Sequence, residues 1–217
     1  MKKIELVQRV SYKTIAEGGI AEITEKKSRF LANCRHVESE EEAVAFIGEM
    51  KKKYWDARHS CAAFVIGDRG EMTRCSDDGE PTGTAGKPIL DVILGEKLTN
   101  LVVVVTRYFG GTLLGTGGLV RAYSEAARCG LAVCEKSIYR FGVRSSVVTD
   151  YTNAGKVRYL LEQNLNIQAK IAYAEMVEFD LLIPIEENDT IKQKIIEATL
   201  GKVEFTEIMR LYFRSDE

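Results

Sequence analysis

The most constraining feature of the sequence is the segment 101–106, which reads LVVVVT and contains no charged residue. β-Branched residues favour strands, and a run that is apolar at nearly every position is typical of a strand buried on both faces. We therefore expect this segment to be the central strand of a sheet. A glycine-rich loop follows it, and then a stripe from Leu119 to Gly130 at helical spacing. The small residues in that stripe predict close packing of a helix on the sheet.

The residues before this strand predict further strands and helices. Three apolar segments indicate an antiparallel meander, and they lie near residues 12–15, 20–24 and 29–37. Ser39 and Glu42 form a capping-box pattern, so a helix is expected from that point. Two more strands and a second helix are predicted near residues 60–66, 71–75 and 87–97.

The second part of the chain has a different order of elements. A strand near 138–148 precedes a helix, two alternating strands follow, and a second helix ends at Gly201 before a last strand. The order β-α-β-β-α-β is that of the split βαβ, ferredoxin-like arrangement. The change of pattern predicts one domain at residues 1–135 and another at residues 136–217.

Charge and cysteine content exclude some classes of function. Lys and Arg number 30 against 32 Asp and Glu, so no general basic field attracts nucleic acid, and anion binding requires a local patch. The five cysteines show no CxxC pair, which favours a reduced, cytoplasmic setting and argues against zinc. We find no signal-peptide pattern and no membrane-spanning apolar run. We expect no cofactor, no metal and no membrane partner.

The first candidate segment is 56–61, with the sequence DARHSC. Strand alternation places His59 and Cys61 on one face and Arg58 on the other. His59 and Cys61 could form a nucleophilic pair if the thiol were accessible and its pKa were lowered. The alternative is a buried cysteine beside a hydrogen-bonded histidine.

The second candidate segment is 76–88, with the sequence SDDGEPTGTAGKP. Three carboxylates lie within five residues, namely Asp77, Asp78 and Glu80. They repel one another unless a cation neutralises them, and the candidates are a metal, a partner, or an arginine such as Arg58 or Arg107. The step from Thr84 to Gly86 could present free backbone N–H groups to an anion. The alternative is a solvated turn in which Ser or Thr caps the following helix.

The third candidate segment is 107–123, with the sequence RYFGGTLLGTGGLVRAY. It leaves the carboxyl end of the central strand, where open α/β sheets commonly bind ligands. It matches neither a Walker A loop nor a dinucleotide-binding fingerprint. Glycines between Arg107 and Arg121 predict a backbone nest for an anion, with Tyr108 or Phe109 as a stacking surface. The alternative is a tight glycine-dependent turn packed on the core.

These three blocks together resemble the IMPACT family, in its bacterial YigZ-like branch. The resemblance implies an α+β protein: an N-terminal ribosomal-protein-type (S5 domain 2-like) α/β sandwich, with helices on one face of its sheet, followed by a ferredoxin-like βαββαβ domain resembling one in elongation factor G. It also implies a link to translational regulation. It supplies no catalytic residues.

The first hypothesis is a non-catalytic, translation-associated regulator that binds RNA or ribosomal particles through the glycine- and arginine-rich loop. We expect the three segments to meet in space, with arginines on phosphate, backbone N–H groups close to it and an aromatic ring on a base. The expected ligand-binding residues are Arg58, His59, Asp77, Asp78, Glu80, Thr84, Gly86, Arg107, Tyr108, Gly110, Gly111, Gly117, Gly118 and Arg121.

Two other functions remain open from the sequence. A small metal-assisted enzyme acting on a phosphorylated or peptide-like substrate would use Asp77, Asp78 and Glu80 to hold a divalent ion, with His59 as a second group. A protein-binding module would use the sheet of the second domain. The sequence therefore leaves enzymatic activity undecided, with no recognised nucleophile in its favour.

Overall fold

The computed structural model describes residues 10–215, which form two compact units. The amino-terminal unit consists of Tyr12–Ser137, and the carboxyl-terminal unit is built mainly from the residues after Ser137. In the described part of the chain, no helix has both the length and the apolar character needed to cross a membrane.

The amino-terminal unit contains a five-stranded antiparallel sheet with the order β2-β3-β6-β4-β5. Its strands are β2 (Ile20–Glu25), β3 (Ser28–His36), β4 (His59–Ile66), β5 (Met72–Ser76) and β6 (Leu101–Tyr108). A further strand, β1 (Ser11–Glu17), is not a neighbour of β2 in the described chain. The predicted three-stranded meander is therefore wrong for its first strand, and only the β2–β3 hairpin forms.

The central strand predicted from the apolar run is confirmed as β6. It pairs with β3 on one side and with β4 on the other, and residues 101 to 106 are fully buried. An apolar side chain at each of residues 101 to 105 is possible only because both faces of the sheet are covered.

Helices cover this sheet on both faces. On one face, α1 (Glu40–Lys53) packs through Phe46 and Met50 against Phe64 and Val104. On the other face, α2 (Gly86–Gly95) and α3 (Gly115–Ala132) pack on the alternate side chains, such as those of β6 residues 103 and 105. The α/β sandwich is confirmed, but the expectation of helices on one face alone is wrong. The apolar character of consecutive β6 residues is the physical reason, since both faces need cover.

The first helix begins where the capping pattern predicts. The Ser39 hydroxyl accepts a hydrogen bond from Glu42 N at 3.2 Å, and Glu42 Oε2 accepts one from Glu38 N at 2.8 Å. Three acidic residues lie in the first turn and three lysines in the last, which suits the helix dipole at both ends.

The carboxyl-terminal unit has the ferredoxin-like order. Its elements are β7 (Glu135–Thr149), α4 (Tyr151–Glu162), β8 (Gln168–Tyr173), β9 (Val177–Pro184), α5 (Ile185–Ala198) and β10 (Val203–Arg214). Within this unit the strands lie in the order β10-β7-β9-β8 and pair antiparallel. Val157, Phe179 and Ile195 are among the fully buried residues between the sheet and the two helices. The βαββαβ arrangement expected from the sequence is confirmed.

Candidate functional site

The three candidate segments meet at the end of β6, around the loop 76–86 that connects β5 to α2. Asp78 contacts the segment 56–61, since Ser60 N donates to Asp78 Oδ2 at 2.6 Å. Glu80 contacts the segment 107–123, since it accepts hydrogen bonds from Arg107 and Tyr123. The loop is therefore the bridge between the other two segments.

The centre of this region is a buried ion pair. Arg107 Nη1 donates to Glu80 Oε1 at 2.7 Å, and the Tyr123 hydroxyl donates to the same oxygen at 2.8 Å. The side chains of Arg107 and Glu80 are only 8% and 4% exposed. Burial is the largest reason why the pKa of Tyr123 lies far above its ordinary value, and the neighbouring Cys61 and Glu80 add to it. Tyr123 is therefore a neutral donor to this carboxylate.

Arg107 is enclosed rather than presented to solvent. Its guanidinium carbon lies 5.5 Å from the ring centres of both Phe30 and Phe109, and its Nη2 is 3.5 Å from Ser28 Oγ. Its Nε has no hydrogen-bond partner among the described residues. Arg107 and Glu80 each take the other as counter-charge, so ligand contact by either residue stays a prediction that would require breaking this pair.

Asp77 is the cap of helix α2. Its carboxylate accepts hydrogen bonds from the backbone N–H groups of Gly83, Ala85 and Gly86 at 2.8, 3.0 and 2.8 Å. Partial burial raises the pKa of the Asp77 carboxyl, but these three donors outweigh it and leave the pKa below its ordinary value. The Asp77 carboxylate thus occupies the anion position that the sequence suggested for an external ligand.

The expected roles of Thr84 and Gly86 change for the same reason. The Thr84 hydroxyl donates to Pro81 O at 2.7 Å. A Cβ on Gly86 would lie 2.7 Å from the backbone of Ser76, so this glycine is required by close packing. The Thr84 hydroxyl and the Gly86 N–H thus donate within the described chain, and anion binding by these two residues stays a prediction.

Asp78 and His59 are also tied into the protein. Asp78 Oδ1 pairs with Lys51 Nζ at 2.5 Å, and His59 Nδ1 lies 2.9 Å from Asp78 O. Within residues 10–215, no group of three His, Cys, Asp or Glu side chains is arranged to hold a metal ion. The three carboxylates of the loop point to three different protein partners instead of one shared ion.

Cys61 fits the buried-cysteine alternative. Its side chain is fully buried, and its thiol donates to Asp77 O at 2.9 Å. Burial raises the pKa of the Cys61 thiol to about 12, the opposite of what a nucleophile needs. The His59–Cys61 pair is therefore part of the packing around the loop.

The glycine-rich loop is partly packed and partly open. Gly110 N donates to Ser28 Oγ at 3.1 Å, and a Cβ on Gly110 would lie 2.0 Å from the Lys27 backbone. Gly111 has a φ of +86° and open space at its Cβ position. Gly117 and Gly118 lie in the first turn of α3, and only Gly118 is crowded, by Leu114 at 3.0 Å.

Tyr108 is held by two partners. Its hydroxyl donates to Asp56 Oδ1 at 2.7 Å, and the Arg29 guanidinium lies 5.6 Å from its ring centre. The hydrogen bond to Asp56 raises the pKa of Tyr108 above its ordinary value. The neighbouring Phe109 is 51% exposed, so of the two aromatic candidates Phe109 is the one with a free face.

Several cations near the loop remain exposed, and we call this surface the exposed rim. It consists of Lys26, Lys27, Arg58, Phe109 and Arg121. Arg58 directly precedes His59, which lies opposite Arg107 in the backbone pairing of β4 with β6. Lys26 and Arg121 line the same cleft, which has a volume of about 530 Å³. No hydrogen bond or ion pair is found for these four cations within the described residues.

Sequence reasoning identified two of these four cations and missed the other two. Lys26 and Lys27 form the β2–β3 turn with φ of 45° and 68°, a conformation that Asn and Gly usually adopt. Nothing in the sequence around a Lys-Lys pair signals such a turn. Its position against Gly110 follows only from the pairing of β3 with β6.

Comparison with known proteins gives matches over both units. Residues 26–131 match the Impact N-terminal domain, and residues 147–202 match a domain of unknown function, DUF1949. The chain is 40% identical over 200 residues to the IMPACT family member YvyE of Bacillus subtilis, covering 91% of each chain. It is 49% identical over 100 residues to the IMPACT family member YigZ of Escherichia coli, covering 45% of this chain and 49% of that one.

A solved structure shows the same fold. The crystal structure of an hypothetical protein aligns with a TM-score of 0.62 and 30% sequence identity, over 93% of this chain and 99% of the other. The similarity thus extends through both units and is not confined to the glycine-rich motifs.

Proposed function

Because this chain belongs to the IMPACT family and carries the exposed rim of cations, we propose that it is a translation-associated regulator that binds RNA or ribosomal particles through that rim. The observation that supports this proposal is the separation of the charges around the loop. The inner charges pair with each other, while Lys26, Lys27, Arg58 and Arg121 have no ion-pair partner among residues 10–215. The proposed action is binding, without a chemical step.

The rim suits a phosphate backbone. Unpaired lysines and arginines at a surface attract phosphate without reading sequence, and this attraction weakens with salt. The protein has a net charge of −2, so its attraction to RNA must come from such a local group of cations. The phosphate contacts first assigned to Arg107 pass to Lys26 and Lys27 in this proposal.

Phe109 supplies a surface for a base. Phe109 is 51% exposed, and the Arg107 guanidinium carbon lies 5.5 Å from its ring centre. An aromatic ring fixed in this way can stack on an unpaired base, which contributes about 1–3 kcal/mol in single-strand complexes. The buried Arg107–Glu80 pair therefore supports the proposed site by holding Phe109 in place.

The start of α3 is accessible to a phosphate oxygen. No side chain among the described residues caps this helix, and its first turn has no acidic residue, in contrast to α2, which Asp77 caps. Gly111 and Gly117 have no protein atom close to the Cβ position, except Arg121 Nη1 at 3.8 Å from that of Gly117. Backbone N–H groups at such a helix start attract anions.

The metal-assisted enzyme is the less supported alternative. Its carboxylates have internal partners, as Asp77 binds three backbone N–H groups and Glu80 binds Arg107 and Tyr123. Using them for a metal would leave these donors, including a buried guanidinium, without acceptors.

The test is binding of a fluorescently labelled single-stranded RNA, and of purified ribosomal particles, over a series of salt concentrations. The variant Arg58→Ala/Arg121→Ala removes two exposed cations of the rim. The control Lys194→Ala/Lys202→Ala removes two exposed cations from the carboxyl-terminal unit, so the total charge changes equally. Loss of two phosphate contacts should make the negative slope of log affinity against log salt concentration less steep by about 1.4.

The outcomes separate the proposal from its competitors. Weaker binding and a lower salt slope in the rim variant, with the control unchanged, support the rim. Equal losses in both variants would mean that only total charge matters. Binding that neither variant changes, or no binding to RNA or ribosomal particles at any salt concentration, contradicts the proposal.

A further inference from the structure

Two buried thiols lie together in the amino-terminal unit, away from the exposed rim. Cys34 is in β3, and Cys134 follows the end of α3 by two residues. They are 5% and 7% exposed, and both sulfurs lie against Gly130. Both are free thiols in the structure. A pair of cysteines that meet across about 100 residues of chain can react with each other as well as pack.

Two glycines make the space in which the sulfurs meet. A Cβ on Gly130 would lie 3.0 Å from Cys34 Sγ, while Gly130 O accepts a hydrogen bond from the Cys134 thiol at 3.1 Å. A Cβ on Gly19 would lie 3.1 Å from Cys134 Sγ, while Gly19 O accepts from Cys34 N at 2.9 Å. Each glycine thus contacts both cysteines, and a side chain at either position would crowd the sulfurs.

The two thiols differ in acidity. The hydrogen bond from Cys34 lowers the pKa of Cys134, burial opposes this, and Gly19 N–H and the charge of Lys136 lower it further. The hydrogen bond to Cys134, together with burial, raises the pKa of Cys34. The lowered pKa favours Cys134 over Cys34 as the nucleophile of the pair.

We propose that Cys34 and Cys134 are an oxidisable dithiol site, which a small hydroperoxide converts into an intramolecular disulfide. The Cys134 thiolate attacks the peroxide, the O–O bond breaks, and Cys134 becomes a sulfenic acid while the other oxygen leaves as water or an alcohol. The Cys34 sulfur then attacks Cys134 Sγ and releases water. The two thiols lose two electrons and two protons in total, and the peroxide accepts them.

The other three cysteines lack this arrangement. The Cys61 thiol donates to Asp77 O, and its pKa is raised to about 12. Cys75 is exposed on β5, and Cys129 lies beside Glu125, which raises the pKa of its thiol in addition to the effect of burial. The expected disulfide therefore joins Cys34 to Cys134 and no other pair.

The disulfide would stabilise the amino-terminal unit. It would connect β3 to the residues after α3 and close a loop of about 100 residues, and long loops restrict the unfolded chain the most. The oxidised protein should thus unfold at a higher temperature than the reduced protein, and a thiol reductant should reverse the shift.

The experiment uses the full chain with Cys75→Ser and Cys129→Ser, which removes the two more accessible thiols and leaves three of the five cysteines. The protein is treated with hydrogen peroxide, denatured, and its thiols are counted and mapped by peptide mass spectrometry. The proposal expects the count to fall from three to one. It also expects a peptide linked through Cys34 and Cys134 and full reversal by dithiothreitol.

Two further variants, Cys34→Ser and Cys134→Ser, should each prevent the linked peptide from forming. If either fails to fold, mapping of the wild-type protein still decides the question. Oxidation of Cys134 to sulfinic acid without a link to Cys34, a disulfide that includes Cys61, or three unchanged thiols under conditions that oxidise free cysteine would each overturn the proposal.

Discussion

The buried pair of Arg107 and Glu80 provides the sharpest test of how this region is built. In the variant Glu80→Ala, the guanidinium of Arg107 loses its only carboxylate partner among the described residues while remaining 8% exposed. The Tyr123 hydroxyl loses its acceptor in the same change. Arg107 Nε already has no hydrogen-bond partner within residues 10–215, so the loss of Glu80 leaves a second part of the guanidinium without an acceptor.

The magnitude follows from the burial. Removing one partner of a buried ion pair costs about 3–5 kcal/mol, because the remaining charge stays buried without compensation. Leaving the buried Tyr123 hydroxyl without its acceptor costs about 1–3 kcal/mol by itself. The hydrogen bonds of Arg107 and Tyr123 share one oxygen of Glu80, so the two costs do not add in full. We therefore expect a loss of about 4 kcal/mol in the stability of the amino-terminal unit.

The assay is hydrogen–deuterium exchange of the β6 peptide, followed by mass spectrometry. Exchange of these fully buried amides requires the sheet to open, so a loss of about 4 kcal/mol should speed it roughly 1000-fold. The matched control is Glu49→Ala, which breaks an ion pair with Arg35 whose side chains are 53% and 49% exposed. That loss should stay below about 1 kcal/mol.

The double variant Arg107→Met/Glu80→Leu completes the test. Replacing both charges with apolar side chains of similar size should recover most of the loss, because no buried charge is then left unpaired. An exchange rate for Glu80→Ala close to that of Glu49→Ala would refute the reasoning. It would mean that water reaches Arg107, and the guanidinium would return as a candidate for ligand contact.

Two further predictions concern the loop residues. Asp77→Asn should lower the free energy of unfolding by about 1–2 kcal/mol near neutral pH, because a charged cap of three backbone N–H groups is lost. Since the folded-state pKa of Asp77 is lowered, its stabilisation is complete above the unfolded-state pKa of about 3.9 and disappears as the pH falls through the lowered value. Urea unfolding at several pH values checks this, and a difference that grows in acid would contradict it. Gly110→Ala should destabilise the protein by more than about 2 kcal/mol because its Cβ would overlap the Lys27 backbone, whereas Gly117→Ala, in open space within α3, should stabilise it by up to about 1 kcal/mol. The same measurement on both variants decides whether these two glycines differ as described.

The features that could be predicted from the sequence are those encoded by local patterns. The run at 101–106 specifies a doubly buried strand by itself, and Ser39 with Glu42 specifies a helix start within four residues. The βαββαβ order follows from successive elements, each with its own periodicity. None of these requires knowledge of a distant partner.

The features that could not be predicted depend on partners that are far apart in sequence. Arg107 and Glu80 are 27 residues apart, and the Lys27 backbone reaches Gly110 only through the β3–β6 pairing. From the sequence, a carboxylate such as Asp77 can cap a helix, hold a metal or meet an arginine equally well. The positions of Gly83, Ala85 and Gly86 decide among these, and they depend on how the loop folds.

The two arginines that flank the glycine-rich loop illustrate why motif membership does not define a binding residue. Arg107 is in the most buried strand and points toward Glu80 and Tyr123, so its charge is used within the protein. Arg121 is in the second turn of α3 on the exposed side, next to the cleft that Lys26 also lines. A charge that already has a buried counter-charge must lose it before it can bind anything else, which costs several kcal/mol, whereas an exposed, unpaired charge has no such cost. The inner half of the motif therefore shapes the loop, and binding should be determined by the outer half.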